Sequence, residues 1–335
     1  MTRASGSRRR GLWALALLLV LSWPVWVAAQ PVQVDPALPS YRAVQGVSGN
    51  LSSVGSDTMV NLVTLWAEGF EKYYPNVNIQ VEGKGSSTAP PALAAGTAQF
   101  GPMSRLMKSN EQDAFEKKYG FKPARLSVAL DGLSVYVNKD NPLQELTLAQ
   151  VDAIFSKTRK HGYPRAITTW GDLGLRGEWA TRRLSLYGRN SASGTYGYFK
   201  EGALKEGDYK DEVKEQPGSA SVVQGITEDR NGIGYSGIGY RTSDVKALAV
   251  AKKEGAKAYL PTFEMVVKGN YPISRYLNIY LVKDPNRELD VLRREFLKFV
   301  FSKEGQLVVV KDGYLPVSAK TAAKELKKIG VEGAM

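Results

Sequence analysis

Residues 188–199 of the 335-residue chain read Gly-Arg-Asn-Ser-Ala-Ser-Gly-Thr-Tyr-Gly-Tyr-Phe. Arg189 can hold an oxyanion through two N–H groups at once. Ser193, Gly194 and Thr195 would add two hydroxyls and backbone amides at the start of a helix, where the amide end carries roughly half a positive charge. A surface arginine before a polar turn is the plain alternative. Two further stretches repeat the plan, Gly-Ser-Asp-Thr-Met at 55–59 and Gly-Lys-Gly-Ser-Ser-Thr at 83–88. Ser56 and Thr58 in one, and Ser86, Ser87 and Thr88 in the other, supply donors, while glycines let the backbone approach a ligand. Each stretch alone is also an ordinary helix cap. Together the three loops are expected to close on one oxyanion.

Ser104 and Arg105 could add a hydroxyl and a second cation, or form a surface turn. Asp131 is an acid inside an apolar run, where a carboxylate is costly unless paired. Its partner is either a buried arginine or a proton carried by the anion. Catalysis finds little support. His161 is the only histidine, in a basic polar stretch where a surface position is expected, and there is no cysteine. That excludes His-rich and Cys-rich metal sites and thiol chemistry. No Gly-x-Ser-x-Gly elbow is present, and Lys84 does not close a nucleotide-binding P-loop. Many donors without a nucleophile–base pair point to binding without a reaction, with no cofactor.

These loops need a scaffold. A strand is expected at 47–54, then a helix over 57–74. There Met59, Leu62, Val63, Trp66, Phe70 and Tyr73 recur at helical spacing. Ser56 or Asp57 can cap it, and Pro75-Asn76 stops it. A strand at 77–81, a helix with Pro90 and Pro91 in its first turn, and a strand at 99–103 follow. This βαβαβ order implies a parallel sheet, with ligands beyond the carboxyl ends of its strands. Residues 124–138 read as one long strand broken at Asp131-Gly132, long enough to cross between lobes. Helices are expected at 110–119, at 148–155, from the opening motif to about 204, and at 221–227, 291–301, 302–311 and 319–328. Strands are expected at 184–187, 265–268 and 275–283, the last crossing back, and 232–240 reads as a glycine-rich strand or turn.

Residues 1–29 read as a secretory signal rather than fold. Four arginines precede an apolar core at 12–20, and small residues before Gln30 offer a cut near Ala29. The apolar core is shorter than the ~20 residues a span needs. Ser7 and the three arginines after it hint at twin-arginine export. Residues 30–45 read as an arm or linker. The formal charge is +12, or +8 without that segment's arginines. Bases and acids alternate, with no tract suited to a phosphate backbone, so a small anion fits better than nucleic acid.

Taken together, 55–59, 83–87, Phe-Gly-Pro-Met-Ser-Arg at 100–105, Asp131-Gly132 and 189–195 stand in an order and spacing similar to those of the periplasmic phosphate-binding proteins. These are the substrate-binding subunits of ABC-type phosphate importers. The resemblance covers roughly 46–320. It implies an α/β, two-lobed periplasmic-binding-protein fold. Each lobe is then a mixed, mostly parallel sheet flanked by helices, joined by two crossing hinge strands. Lobe one would comprise 46–134 and 274–335, and lobe two 135–273. It further implies that Thr58, Met59 through its amide, and Ser86 contact phosphate from lobe one. Arg189, Ser193, Gly194 and Thr195 would do so from lobe two. Some members carry an aspartate where Ser104 stands, and it accepts the phosphate proton. Here that role falls to Asp57 or Asp131. The implied partners are inorganic phosphate and the permease transmembrane subunits, with the protein a periplasmic monomer. Rival readings are a binder of sulfate, molybdate or tungstate, a phosphatase on the same scaffold, and a phosphate-scavenging surface protein.

Overall fold

The computed structural model describes Met1, Thr2 and residues 32–331. The export signal read over 1–29, Met1 and Thr2 apart, lies outside the described residues. Met1–Pro31 and Val32–Met335 are separate units, and all that follows concerns the second.

Strand β1 (Gly49–Val54) leads through a 3-10 turn into α1 (Val60–Glu71), and β2 (Val77–Glu82) returns parallel to β1. In α1, Leu62, Val63, Trp66 and Phe70 share one buried face, as their spacing predicts. The Trp66 indole donates to the Gly305 carbonyl at 2.8 Å. Helix α2 (Ala89–Ala95) ends at Gly96, in the left-handed region at φ +76°. A parallel bridge from Ser53 to Phe100 adds the chain entering β3 (Gly101–Met103), and α3 (Ser109–Tyr119) follows.

The long 124–138 run is two strands, β4 (Ala124–Gly132) and β5 (Ser134–Asn138), in different sheets. Short β6 (Glu145–Thr147) and α4 (Leu148–Phe155) lead to β7 (Ser185–Arg189) and α5 (Gly194–Leu204). Then come β8 (Lys214–Gln216), α6 (Ser219–Glu228), β9 (Gly232–Ser236), β10 (Val245–Ala247) and β11 (Ala249–Ala251). The chain finishes with α7 (Phe263–Val267), β12 (Ser274–Leu281), α8 (Val291–Val300), α9 (Lys303–Lys311) and α10 (Ala319–Lys327).

One sheet has the order β3-β12-β4, with β12 antiparallel to both neighbours. The five-stranded sheet has the order β10-β5-β9-β7-β8. In it β7 runs parallel to β8 and β9, while β5 is antiparallel to β9 and β10. The sheets are thus mixed, parallel where the α/β units feed them and antiparallel where β5 and β12 enter from the crossings. Two main cores follow. Trp66, Phe70, Leu126, Leu277 and Phe296 lie in one, and Val135, Phe155, Trp170, Phe199 and Tyr235 in the other. This is the two-lobed α/β arrangement. The chain passes from one core to the other at Leu133 and returns between Ile273 and Leu277.

Three readings need correction. Residues 265–268 are not a strand; α7 is one helical turn. Its start is set by Thr262, whose side chain accepts the Met265 amide. A short apolar run cannot by itself separate a strand from a helical turn. The segment read as an arm or linker is packed, with Leu38 and Tyr41 buried in the first core and Tyr41 bonded to Tyr74 and Glu295. His161 is half-buried rather than on the open surface.

Candidate functional site

Carboxyl ends of strands meet at one place. β1 delivers residues 55–58, β2 delivers 83–88, and β3 delivers Ser104. From the other sheet, β7 delivers 190–195 and β8 delivers 217–219. Their hydroxyls form a chain of contacts. Ser56 Oγ donates to Ser104 Oγ at 2.9 Å, and Ser104 Oγ lies 3.3 Å from Ser86 Oγ and 3.5 Å from Thr195 Oγ1. Thr195 Oγ1 is 2.7 Å from Thr58 Oγ1, which is 3.3 Å from Ser219 Oγ. All six side chains are buried. Hydroxyl donors gathered out of water are what a dehydrated oxyanion needs in place of its hydration shell.

Arg189 brings a cation to this cluster from the end of β7. Its side chain is 1% exposed, which makes an unpaired charge there untenable. Its guanidinium donates to Ser219 Oγ at 2.7 Å, to the Pro217 carbonyl at 2.9 Å and to the Gln216 carbonyl at 3.3 Å. Asp57 Oδ2 lies 3.1 Å from Nη2. Burial pulls the Arg189 pKa down and the Asp57 charge opposes it. Asp57 does not cap the helix it precedes. Its Oδ2 instead accepts the Ser219 amide at 2.8 Å, capping α6 across the cleft. Two tyrosines hold the same turn. Tyr240 donates to the Asp57 carbonyl at 3.1 Å and Tyr314 to the Thr58 carbonyl at 2.7 Å. Burial raises both phenols' pKa, so both remain donors.

Asp131 is fully buried and found the arginine partner left open above. Arg275, its register neighbour on β12, donates to Asp131 Oδ2 through Nε at 3.0 Å and Nη2 at 2.8 Å. Ile238 N donates to the other oxygen at 2.9 Å. Arg275 also reaches the site, giving a bond to the Ser104 carbonyl at 2.6 Å and to Thr195 Oγ1 at 2.9 Å.

Several expected ligands are placed otherwise. Arg105 points its guanidinium at Glu111 in a two-pronged pair of 2.7 Å bonds, not at the hydroxyl cluster. A carboxylate six residues on, at the start of α3, takes both prongs of that fork. The Ser193 hydroxyl caps α5, accepting from Thr195 N at 3.1 Å and Tyr196 N at 3.3 Å. The Met59 amide donates to the Ser56 carbonyl at 3.2 Å, closing the turn before α1. Gly194 packs closely against the opposite side, since a Cβ there would lie 2.1 Å from Ser86 Oγ. The 83–88 loop also touches the 188–195 loop, with Ser87 donating from N and Oγ to the Ala192 carbonyl at 3.2 and 2.9 Å.

Sequence reading missed Ser219 and Arg275. Ser219 follows β8, a three-residue strand with no hydrophobic pattern to mark it. Arg275 had a signal, a cation at the start of an otherwise apolar strand that could face Asp131. Among the described residues, no group of three or more His, Cys, Asp or Glu is placed to hold a metal.

A family model described as a PBP superfamily domain matches residues 41–304. The chain is 56% identical over 317 residues to the phosphate-binding protein PstS of Pseudomonas aeruginosa, covering 95% of this chain and 98% of that one. A solved structure from Clostridium perfringens, assigned as a phosphate ABC transporter substrate-binding protein with bound phosphate, is 27% identical. It superposes with a TM-score of 0.67 over 81% of this chain and all of that one. An ABC-type phosphate transport receptor from Vibrio cholerae shares the fold, with 23% identity and a TM-score of 0.62 over 80% of this chain and all of its own.

Proposed function

We propose a function from this premise: the chain belongs to the PBP superfamily, among the periplasmic phosphate-binding proteins of ABC-type importers. It binds inorganic phosphate between its two lobes and delivers it to a membrane permease, without catalysing a reaction. Lobe one is taken as 46–134 with 274–335, and lobe two as 135–273. The protein acts as an exported periplasmic monomer. Among the described residues no helix is long and apolar enough to cross a membrane.

One observation carries this reading. Six buried hydroxyls and one buried arginine, drawn from strand ends of both lobes, converge within hydrogen-bonding distance of each other. An oxyanion that enters exchanges hydroxyl–hydroxyl contacts for stronger charge-assisted ones. Because Thr58 and Ser86 come from one lobe and Arg189 and Thr195 from the other, the ion favours the closed form over the open one. That differential affinity drives closure. Phosphate near neutral pH keeps a proton and sulfate does not, so a carboxylate beside the site discriminates between them. Asp57 takes both its bonds, from Arg189 and the Ser219 amide, on Oδ2, so its Oδ1 is better placed to accept that proton than Asp131, whose two oxygens are held by Arg275 and Ile238 N.

Calorimetric titration of the unliganded protein tests the reading. Phosphate is expected to bind tightly at one site, with sulfate and molybdate far weaker. Tighter binding of either rival ion refutes the phosphate assignment, and turnover of a phosphate ester refutes the non-catalytic one.

A further inference from the structure

We propose that Ser219 is a further direct ligand of the anion, a hydroxyl donor whose direction is set by Arg189. The inference rests on the phosphate-binding reading and extends that site to α6. Ser219 is fully buried and opens the first turn of α6. Its Oγ accepts from Arg189 Nη1 at 2.7 Å and lies 3.3 Å from Thr58 Oγ1. A guanidinium has donors only, so the Ser219 oxygen is the acceptor in that bond. Its single hydrogen is left to point elsewhere, and Thr58 Oγ1, through which Ser219 joins the rest of the cluster, lies in reach.

Thr195 repeats the arrangement. Its Oγ1 accepts from Arg275 Nη2 at 2.9 Å and lies 2.7 Å from Thr58 Oγ1, and its own hydrogen is left to donate. Two hydroxyls therefore contact Thr58 Oγ1, each with its oxygen held by an arginine and its hydrogen left to donate. That polarity suits the unprotonated oxygens of an anion. It leaves a protonated oxygen to be accepted elsewhere.

A prop for Arg189 would not need Ser219. The guanidinium is also held by the Gln216 and Pro217 carbonyls and by Asp57. The backbone beneath the hydroxyl is fixed at both ends, by Asp57 Oδ2 on its N–H and by the Ser236 hydroxyl on its carbonyl. Removing the Ser219 hydroxyl should leave Arg189 in place and take away one donor.

The test uses the full chain, titrated with inorganic phosphate by calorimetry, with 31P NMR of the bound ion. Ser219→Ala is expected to weaken phosphate about ten-fold or more, the scale of one hydrogen bond to a charged group, and to move the bound 31P resonance. Ser221→Ala, two residues on in the same helix, is expected to stay within about two-fold with the resonance unmoved. Ser219→Gly provides the same readout should the alanine variant fail to fold. Near-wild-type affinity overturns the inference. So does weakened affinity with an unmoved resonance, which would make Ser219 a positioning residue for Arg189. Failure of the wild-type chain to bind phosphate, measured first, overturns the phosphate reading itself and this inference with it.

Discussion

Replacing Gly194 by alanine should weaken phosphate binding by orders of magnitude while leaving the unliganded protein intact. Gly194 is the first residue of α5 and is not in a left-handed conformation, so alanine meets no backbone strain. Within the helix alanine is favoured over glycine by about 0.5–1 kcal/mol. The conflict lies across the cleft. The added Cβ would sit 2.1 Å from Ser86 Oγ, 2.7 Å from Ser104 Oγ and 2.8 Å from Ser86 Cβ. Ordinary contact begins near 3.4 Å, so the two sides must part by roughly 1 Å. The Thr58–Thr195 contact at 2.7 Å and the Ser104–Thr195 contact at 3.5 Å then stretch toward or beyond hydrogen-bonding range. An anion gripped from both sides loses two or more charge-assisted bonds of about 1.5–3 kcal/mol each. That is a loss of affinity on the order of 10²-fold to 10⁴-fold. Calorimetry measures it, and small-angle scattering should show that phosphate no longer compacts the variant. The melting temperature without phosphate should not fall. Binding within about five-fold of wild type would refute the claim that closure at Gly194 forms the site.

Arg189→Ala removes one of the two guanidinium groups bonded to the cluster's hydroxyls and should weaken phosphate by about 3–5 kcal/mol, the scale of breaking a buried ion pair; titration that finds unchanged affinity takes Arg189 out of the site. Asp131→Asn leaves the Arg275 charge buried at 3% exposure without its carboxylate, and should lower the melting temperature by several degrees. An unchanged melt would mean the pair contributes little. Asp312, bonded to Asn61 where α9 ends, has its pKa pushed up to about 6 by burial, the Asn61 bond opposing. A raised folded pKa contributes stability that is full below about pH 3.8 and is lost as pH rises through 6. At neutral pH the ionised carboxylate therefore costs about 3 kcal/mol. Asp312→Asn should raise the melting temperature at pH 7.5 and change it little near pH 4, and the opposite pattern would refute the assignment.

Much of the scaffold was legible because its signals are local. The apolar stripe of α1 and the turn residues after β1 and β2 follow from steric and hydrogen-bonding rules within a few residues. Helix α4 fell on the expected residues because Thr147 and Gln150 form a capping box. The short strands β6, β8, β10 and β11 carried no such signal. Three residues make too little pattern, and their pairing comes from distant partners. Ser219 was lost with β8. Arg105 was misplaced for a related reason, since a two-pronged partner in the next helix and an anion across a cleft look alike in a linear string.

The sequence by itself determined which residue types could hold an anion and that they stand in loops after strands. Spacing also marked Asp131 as an acid in need of a partner. Tertiary structure alone decided which of those donors meet. The turn of Asp57 toward α6, the Arg275–Asp131 pairing and the fit of Gly194 against Ser86 join residues from about 110 to about 160 positions apart. Burial turns a shared pattern into a site. Out of water, a guanidinium must be matched by acceptors and each hydroxyl hydrogen must be assigned a direction, so the packing of two lobes fixes what the order of residues leaves open.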